Sequence, residues 1–263
     1  MEIIVNVVVP IITGTIFFGL AWYCAYIAPM RSLVTSELTY RAAFWGFIAF
    51  GIYLATRPFQ VLLGPHPMPL IINNLREFFM IGFFGPGVFI ALVNLSLCGE
   101  RKIPIPMILA VFLFGITLAI VFCITNIFAI GGSVETFKIG NYTANDGKWF
   151  LELDDFRGRL MAVLFIIRVA DPVLLLFIAG VFAIYRSVTL PKDMRQVYNN
   201  MQRKLAYAGI STLFFSLSML STGFMWLLGK IPNQWWLYYL GALAAGVFEV
   251  MSIALPFKHD VEV

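Results

Sequence analysis

Residues Leu160–Arg186 read LMAVLFIIRVADPVLLLFIAGVFAIYR. Such a run exceeds the ~20 apolar residues that a helix needs to cross a bilayer. Its middle holds Arg168, Asp171 and Pro172. A charge at bilayer depth costs roughly 2.5–3.5 kcal/mol on insertion scales, so it faces protein or water and often marks a site. Arg168 and Asp171 stand three apart, on one helical face and able to pair. Pro172 removes a backbone donor just after them, which favours a kink.

The rest of the chain has the same character. Of its 263 residues, 60% are hydrophobic and 12% charged, against about 25% charged in soluble domains. Mean hydropathy is +0.88. Seven apolar segments can be drawn: Val5–Pro29, Ala42–Leu63, Leu70–Leu97, Pro104–Ile130, Leu160–Tyr185, Leu205–Leu228 and Trp235–Pro256. The fold expected is an all-α, polytopic transmembrane helical bundle over residues 1–263, a single domain. A β-barrel is disfavoured because the runs are continuous and do not alternate. A tight corner, Gly64-Pro-His-Pro-Met-Pro69, joins the second and third spans, and Pro86 between two glycines predicts a bend in the third.

Lysine and arginine bias in short loops sets orientation. With the N-terminus outside, inner segments hold ten bases and outer ones five, which predicts N-out and C-in. The net charge of +4 then follows from topology and needs no nucleic acid. The N-terminal run lacks the basic flank of a signal peptide and is expected to remain as the first span. The longest outer connection, 131–159, predicts a small β-hairpin-like cap. Val134–Ile139 and Trp149–Leu153 have strand composition, around the turn-rich Gly140–Gly147. The inner connection Arg186–Lys204 is basic, suited to anionic headgroups or a cytosolic partner.

Six ionisable residues remain inside the spans: Arg57, Arg76, Glu77, Arg168, Asp171 and Glu249. Three bases and three acids balance, as buried charges require. Arg57, Arg76 and Glu77 fall in the outer half, Arg168 and Asp171 near mid-depth, and Glu249 slightly inward. Glu249 follows Ala242, Ala245 and Gly246 on one face, a small-residue surface made for a neighbouring helix. The preceding, sixth span carries a hydroxyl stripe, Ser211, Ser218, Ser221 and Thr222. The six charges are expected to line one polar pocket, open outward, that binds an amphiphilic or anionic small ligand through guanidinium forks. Interhelical salt bridges that fix register are the structural alternative.

Several chemistries find no support. The cysteines, Cys24, Cys98 and Cys123, are odd in number and unclustered, and the two histidines, His66 and His259, lie outside the spans. No disulfide framework, metal centre or haem ligation is therefore expected, and no cofactor. Catalytic motifs are missing, so an enzyme is not expected. Seven spans with the N-terminus outside invite comparison with rhodopsin-like receptors at the level of fold alone. The seventh span lacks the lysine that a retinal Schiff base there would need. The function expected is a membrane receptor or sensor module in a plasma or bacterial inner membrane, relaying to a cytosolic output domain or partner. A transporter or channel using the same charges is the first alternative, and a scaffold subunit of a membrane complex or oligomer the second.

Overall fold

Apolar runs in lipid become helices because every backbone N–H and C=O must then be bonded within the segment. The computed structural model describes residues 3–27, 34–62, 68–98, 103–130, 136–139, 142–145, 156–191, 200–227 and 235–254. A π-helical turn, Ile4–Val8, leads into α1 (Val9–Ile27). Next come α2 (Val34–Ala55) and α3 (Arg57–Leu62), joined through Thr56 by Thr56 N–H to Ile52 C=O and Gln60 N–H to Thr56 C=O. Then follow α4 (Met68–Phe79), α5 (Gly85–Ser96), α6 (Ile105–Ile130), α7 (Phe156–Thr189), α8 (Met201–Leu227) and α9 (Trp235–Ala254).

Among the described residues these form seven rods, and six of them are long and apolar enough to cross a membrane. The remaining rod, α8, has a comparable length and carries buried hydroxyl side chains at Ser211, Thr212 and Ser216. The chain is a multi-pass membrane protein built as a helical bundle.

Amphipathicity runs inside out. On α4, Asn73, Arg76 and Glu77 are buried while Ile71 and Leu75 are exposed. On α8, Ser211, Thr212 and Ser216 are buried while Phe214, Leu217 and Leu220 face outward. Lipid reverses the usual preference: the outer surface wants hydrocarbon, and polar side chains find partners only inside.

Both prolines lie within continuous rods. Pro86 does not break its span. Without its N–H the α ladder cannot continue, and Met80–Phe84 widens into a π-helix closed by Gly85 N–H to Met80 C=O. Pro172 lies inside α7, which continues through it. Helices touch where side chains vanish. A Cβ on Gly87 would stand 2.8 Å from the Ala42 carbonyl and from the Gly46 nitrogen, so α5 meets α2 backbone to backbone.

The second strand of the cap also falls elsewhere. Strand β1 (Thr136–Ile139) pairs antiparallel with β2 (Tyr142–Asn145), Ile139 opposite Tyr142. The partner strand thus lies within the segment expected to be turn. Only Gly140 and Asn141 separate the two strands, a dipeptide suited to a two-residue loop. Trp149–Leu153 and the Gly64–Pro67 corner lie outside the described residues.

The centre of the bundle is an aromatic layer. Phe50 stacks on Phe84 at 4.3 Å between centroids and meets Phe17 at 4.6 Å and Phe215 at 5.1 Å edge-on. Four rods contribute one ring each, from α1, α2, α5's leading π-turn and α8. Polar side chains gather on both sides of this layer.

Candidate functional site

On one side of the layer lies a polar knot. Gln60, 1% exposed, is its hub. Its amide oxygen accepts from Arg57 Nη1 at 3.1 Å and also from Arg76 Nη1. Its amide nitrogen donates to Asn73 Oδ1 at 3.2 Å. Arg57 Nη2 reaches Asn6 Oδ1 at 3.1 Å, tying in the start of the first rod. Arg76 Nε donates to the Tyr53 carbonyl at 2.8 Å, and its guanidinium lies 4.4 Å over the Tyr53 ring. Arg57, Arg76 and Glu77 are 5%, 2% and 0% exposed. The geometry arises from the α3–α4 corner: Gln60 and Asn73 lie on either side of it, and Arg76 follows Asn73 by three residues on the same face. Strand β2 packs on α3 at this end.

On the other side of the layer lies a small cavity of about 40 Å³, partly open to the surroundings. Its apolar walls include Tyr40, Phe47, Val88 and Leu92; its polar lining is Thr39, Lys204, Thr212, Glu249 and Ser252, with Cys24 beside them. Lys204 is only 2% exposed. Its ammonium donates to the Ile253 carbonyl at 3.4 Å, and Ser252 Oγ donates back to the Lys204 carbonyl at 3.0 Å. The start of α8 and the end of α9 are thereby clasped from both sides. The Lys204 ammonium acts electrostatically on the half-buried Glu249 carboxyl, and Ser211 lies within hydrogen-bonding reach of it. Ser211 Oγ also donates to the Ala245 carbonyl at 2.8 Å, again between α8 and α9. Nearby, Asn94 Nδ2 donates to Thr39 Oγ1 at 2.8 Å.

The six residues expected to share one pocket are therefore divided. Arg57 and Arg76 come together in the knot, and Glu77 is fully buried beside Arg76 on α4. Glu249 lies beyond the aromatic layer, in the cavity. Tyr40 lines the cavity and Tyr53 the knot; about 13 residues of one helix separate them, roughly 20 Å along its axis. The physical reason is antiparallel packing, which brings the last turns of α9 beside the first turns of α2 and α8. Arg168 and Asp171 belong to α7, but their side chains lie outside the described residues. Lys204 and Gln60 are site residues that sequence reasoning missed. Lys204 flanks a span and counts as a loop base, while Gln60 carries no charge. Of the hydroxyl stripe, Ser211 bonds across to α9, whereas Ser218 and Ser221 donate to carbonyls of their own helix.

No protein-family profile matches the sequence, and no curated protein does. Among solved structures, the chain aligns with squid rhodopsin at TM-score 0.49 and 12% identity, covering 95% of this chain and 79% of that one. Likeness at that level says nothing of ligand, chemistry or partner.

Proposed function

We propose that the protein is a non-catalytic membrane receptor or sensor module, with a small amphiphilic ligand entering the cavity between α1, α2, α5, α8 and α9. One observation carries this reading: the cavity combines an apolar wall with the polar side chains of Thr39, Lys204, Thr212, Glu249 and Ser252. The Lys204 end also suits relay. Lys204 sits in the first turn of α8, where its N–H bonds the carbonyl of Asn200, a residue held at φ 70°. A ligand that engages Lys204 pulls on this turn, and with it on the basic connection between α7 and α8. That connection and the C-terminal segment are the natural surfaces for a cytosolic output domain or partner. The knot of Arg57, Gln60 and Arg76 closes the opposite end of the bundle and holds it rigid while the Lys204 end responds.

The test uses the protein in lipid nanodiscs. A ligand of this kind raises the melting temperature of the wild type, and Lys204→Met removes the shift. The transporter alternative draws on the same buried charges, and flux into reconstituted vesicles separates the two. Flux lost in Glu249→Gln would replace the receptor with a transporter; a melting shift without flux keeps it.

A further inference from the structure

Ser211 has one hydroxyl hydrogen, and its neighbours show where that hydrogen goes. Its Oγ donates to the Ala245 carbonyl at 2.8 Å, and a carbonyl has no hydrogen to give back. The same oxygen lies within hydrogen-bonding reach of the Glu249 carboxyl. Two oxygens at that separation need a hydrogen between them, and Ser211 has already committed its own. The hydrogen must come from Glu249, and an ionised carboxylate, an acceptor only, has none to give. The cavity lining has the same polarity. Thr212 Oγ1 donates to the carbonyls of Ala208 and Gly209, and Ser252 Oγ to that of Lys204. These hydroxyls therefore present lone pairs to the cavity. A partly open space of about 40 Å³ has room for roughly one to three waters. Such waters donate to those lone pairs and accept from the carboxyl.

We propose that Glu249 is a proton-binding site, its carboxyl O–H donating to Ser211 and exchanging its proton through water in the cavity. On release, the carboxyl O–H bond breaks and water carries the proton out as hydronium. Ser211 then turns its own hydrogen to the new carboxylate and lets go of the Ala245 carbonyl. Among the described residues, the charged and titratable groups that line the cavity with Glu249 are Lys204 from α8, Cys24 from α1 and Tyr40 from α2. The α5 wall is apolar. Lys204 is the cation among them, and it acts electrostatically on Glu249. Its ammonium is bonded to the Ile253 carbonyl at 3.4 Å, longer than an ordinary hydrogen bond and readily exchanged for the carboxylate. One proton therefore governs two ties between α8 and α9, Ser211 to Ala245 and Lys204 to Ile253. The site stands whether or not an amphiphile enters the cavity.

Infrared difference spectroscopy of the full chain in nanodiscs at neutral pH tests this. The C=O stretching band of a protonated carboxyl is expected in the wild type and is lost in Glu249→Gln. Ser211→Ala takes away the acceptor, and the band moves to higher frequency, as it does when a carboxyl loses a hydrogen bond. In heavy water the wild-type band moves to lower frequency within minutes, because cavity water delivers the deuteron. No difference between wild type and Glu249→Gln in this region would mean an ionised carboxylate and overturn the site. A band that Ser211→Ala leaves unmoved would overturn the bond to Ser211, and with it the argument for the proton. A band unmoved by a day in heavy water would overturn the exchange. Should Glu249→Gln not assemble, the shift in Ser211→Ala identifies the carboxyl without replacing it and decides alone.

Discussion

At the scale of single residues, one neutral side chain does what charge counting assigns to ions. Gln60 presents a single oxygen to two guanidiniums, Arg57 and Arg76, and its nitrogen to Asn73. Removing a shared acceptor strands two buried cations together, which is costlier than losing an ordinary hydrogen bond. Gln60→Leu is therefore expected to destabilise the protein by about 2–4 kcal/mol. Gln60→Glu keeps the oxygen, adds an opposing charge and gives up only the bond to Asn73, so it should hold near wild-type stability. Denaturant unfolding in mixed micelles reads the difference, and a Leu variant as stable as wild type would remove the knot's structural role. The same scale explains what the sequence conceals. Arg203 and Lys204 are adjacent bases at the edge of a span, yet Arg203 is exposed and Lys204 buried. Composition treats them alike; only the turn of α8 against α9 tells them apart. The face of Glu249 is legible from Ala242, Ala245 and Gly246 at helical offsets. Its partner is not, because pairing depends on which helix ends meet.

At the scale of elements, the positions of the helices are legible because apolar runs of about 20 residues leave little choice in a bilayer. Their contacts are less so. Close approach is set by glycines whose role depends on the opposing backbone. A Cβ at Gly87 would stand 2.8 Å from the Ala42 carbonyl, while one at Gly19 would meet nothing within 4 Å. Both are helical glycines in apolar stretches and look equivalent in sequence. Gly87→Ala must push α5 from α2 and is expected to cost about 1–3 kcal/mol, as overpacking does. Gly19→Ala gains helix propensity with no clash and should be neutral or stabilise by up to about 1 kcal/mol. Thermal unfolding of the two variants side by side checks the α2–α5 contact: equal effects would mean that the helices are not in backbone contact there. The π-turn at Met80–Phe84 belongs to the same class. Proline announces that the ladder must change, but whether the helix bends, ends or widens is decided by what packs beside it. Here that is Gly115 of α6, where a Cβ would meet Pro86 Cγ at 2.6 Å.

At the scale of the whole molecule, the two polar zones are ordered by alternation of the rods. Asn6 and Cys24 place the two ends of the first rod in the knot and the cavity respectively, and Tyr53 and Tyr40 do so for the second. Tyr238, 5.8 Å from Phe215 and 6.2 Å from Tyr53 between ring centroids, and Glu249 do the same for α9. A chain that crosses an odd number of times leaves its ends on opposite faces of the membrane. Lysine and arginine bias then predicts which face: the strand pair and the knot outside, the cavity and the C-terminal segment in the cytosol. In a background with all three cysteines replaced, a cysteine at Thr143 should react with a membrane-impermeant maleimide in intact cells. One at His259 should react only after permeabilisation. The reverse pattern would keep seven crossings and turn the bundle over, so that the cavity faced outward. Reaction of both from one side would require an even number of crossings, with α8, for example, out of the membrane. The cavity would go with it, since three of the residues that line it, Lys204, Ala208 and Thr212, belong to that helix.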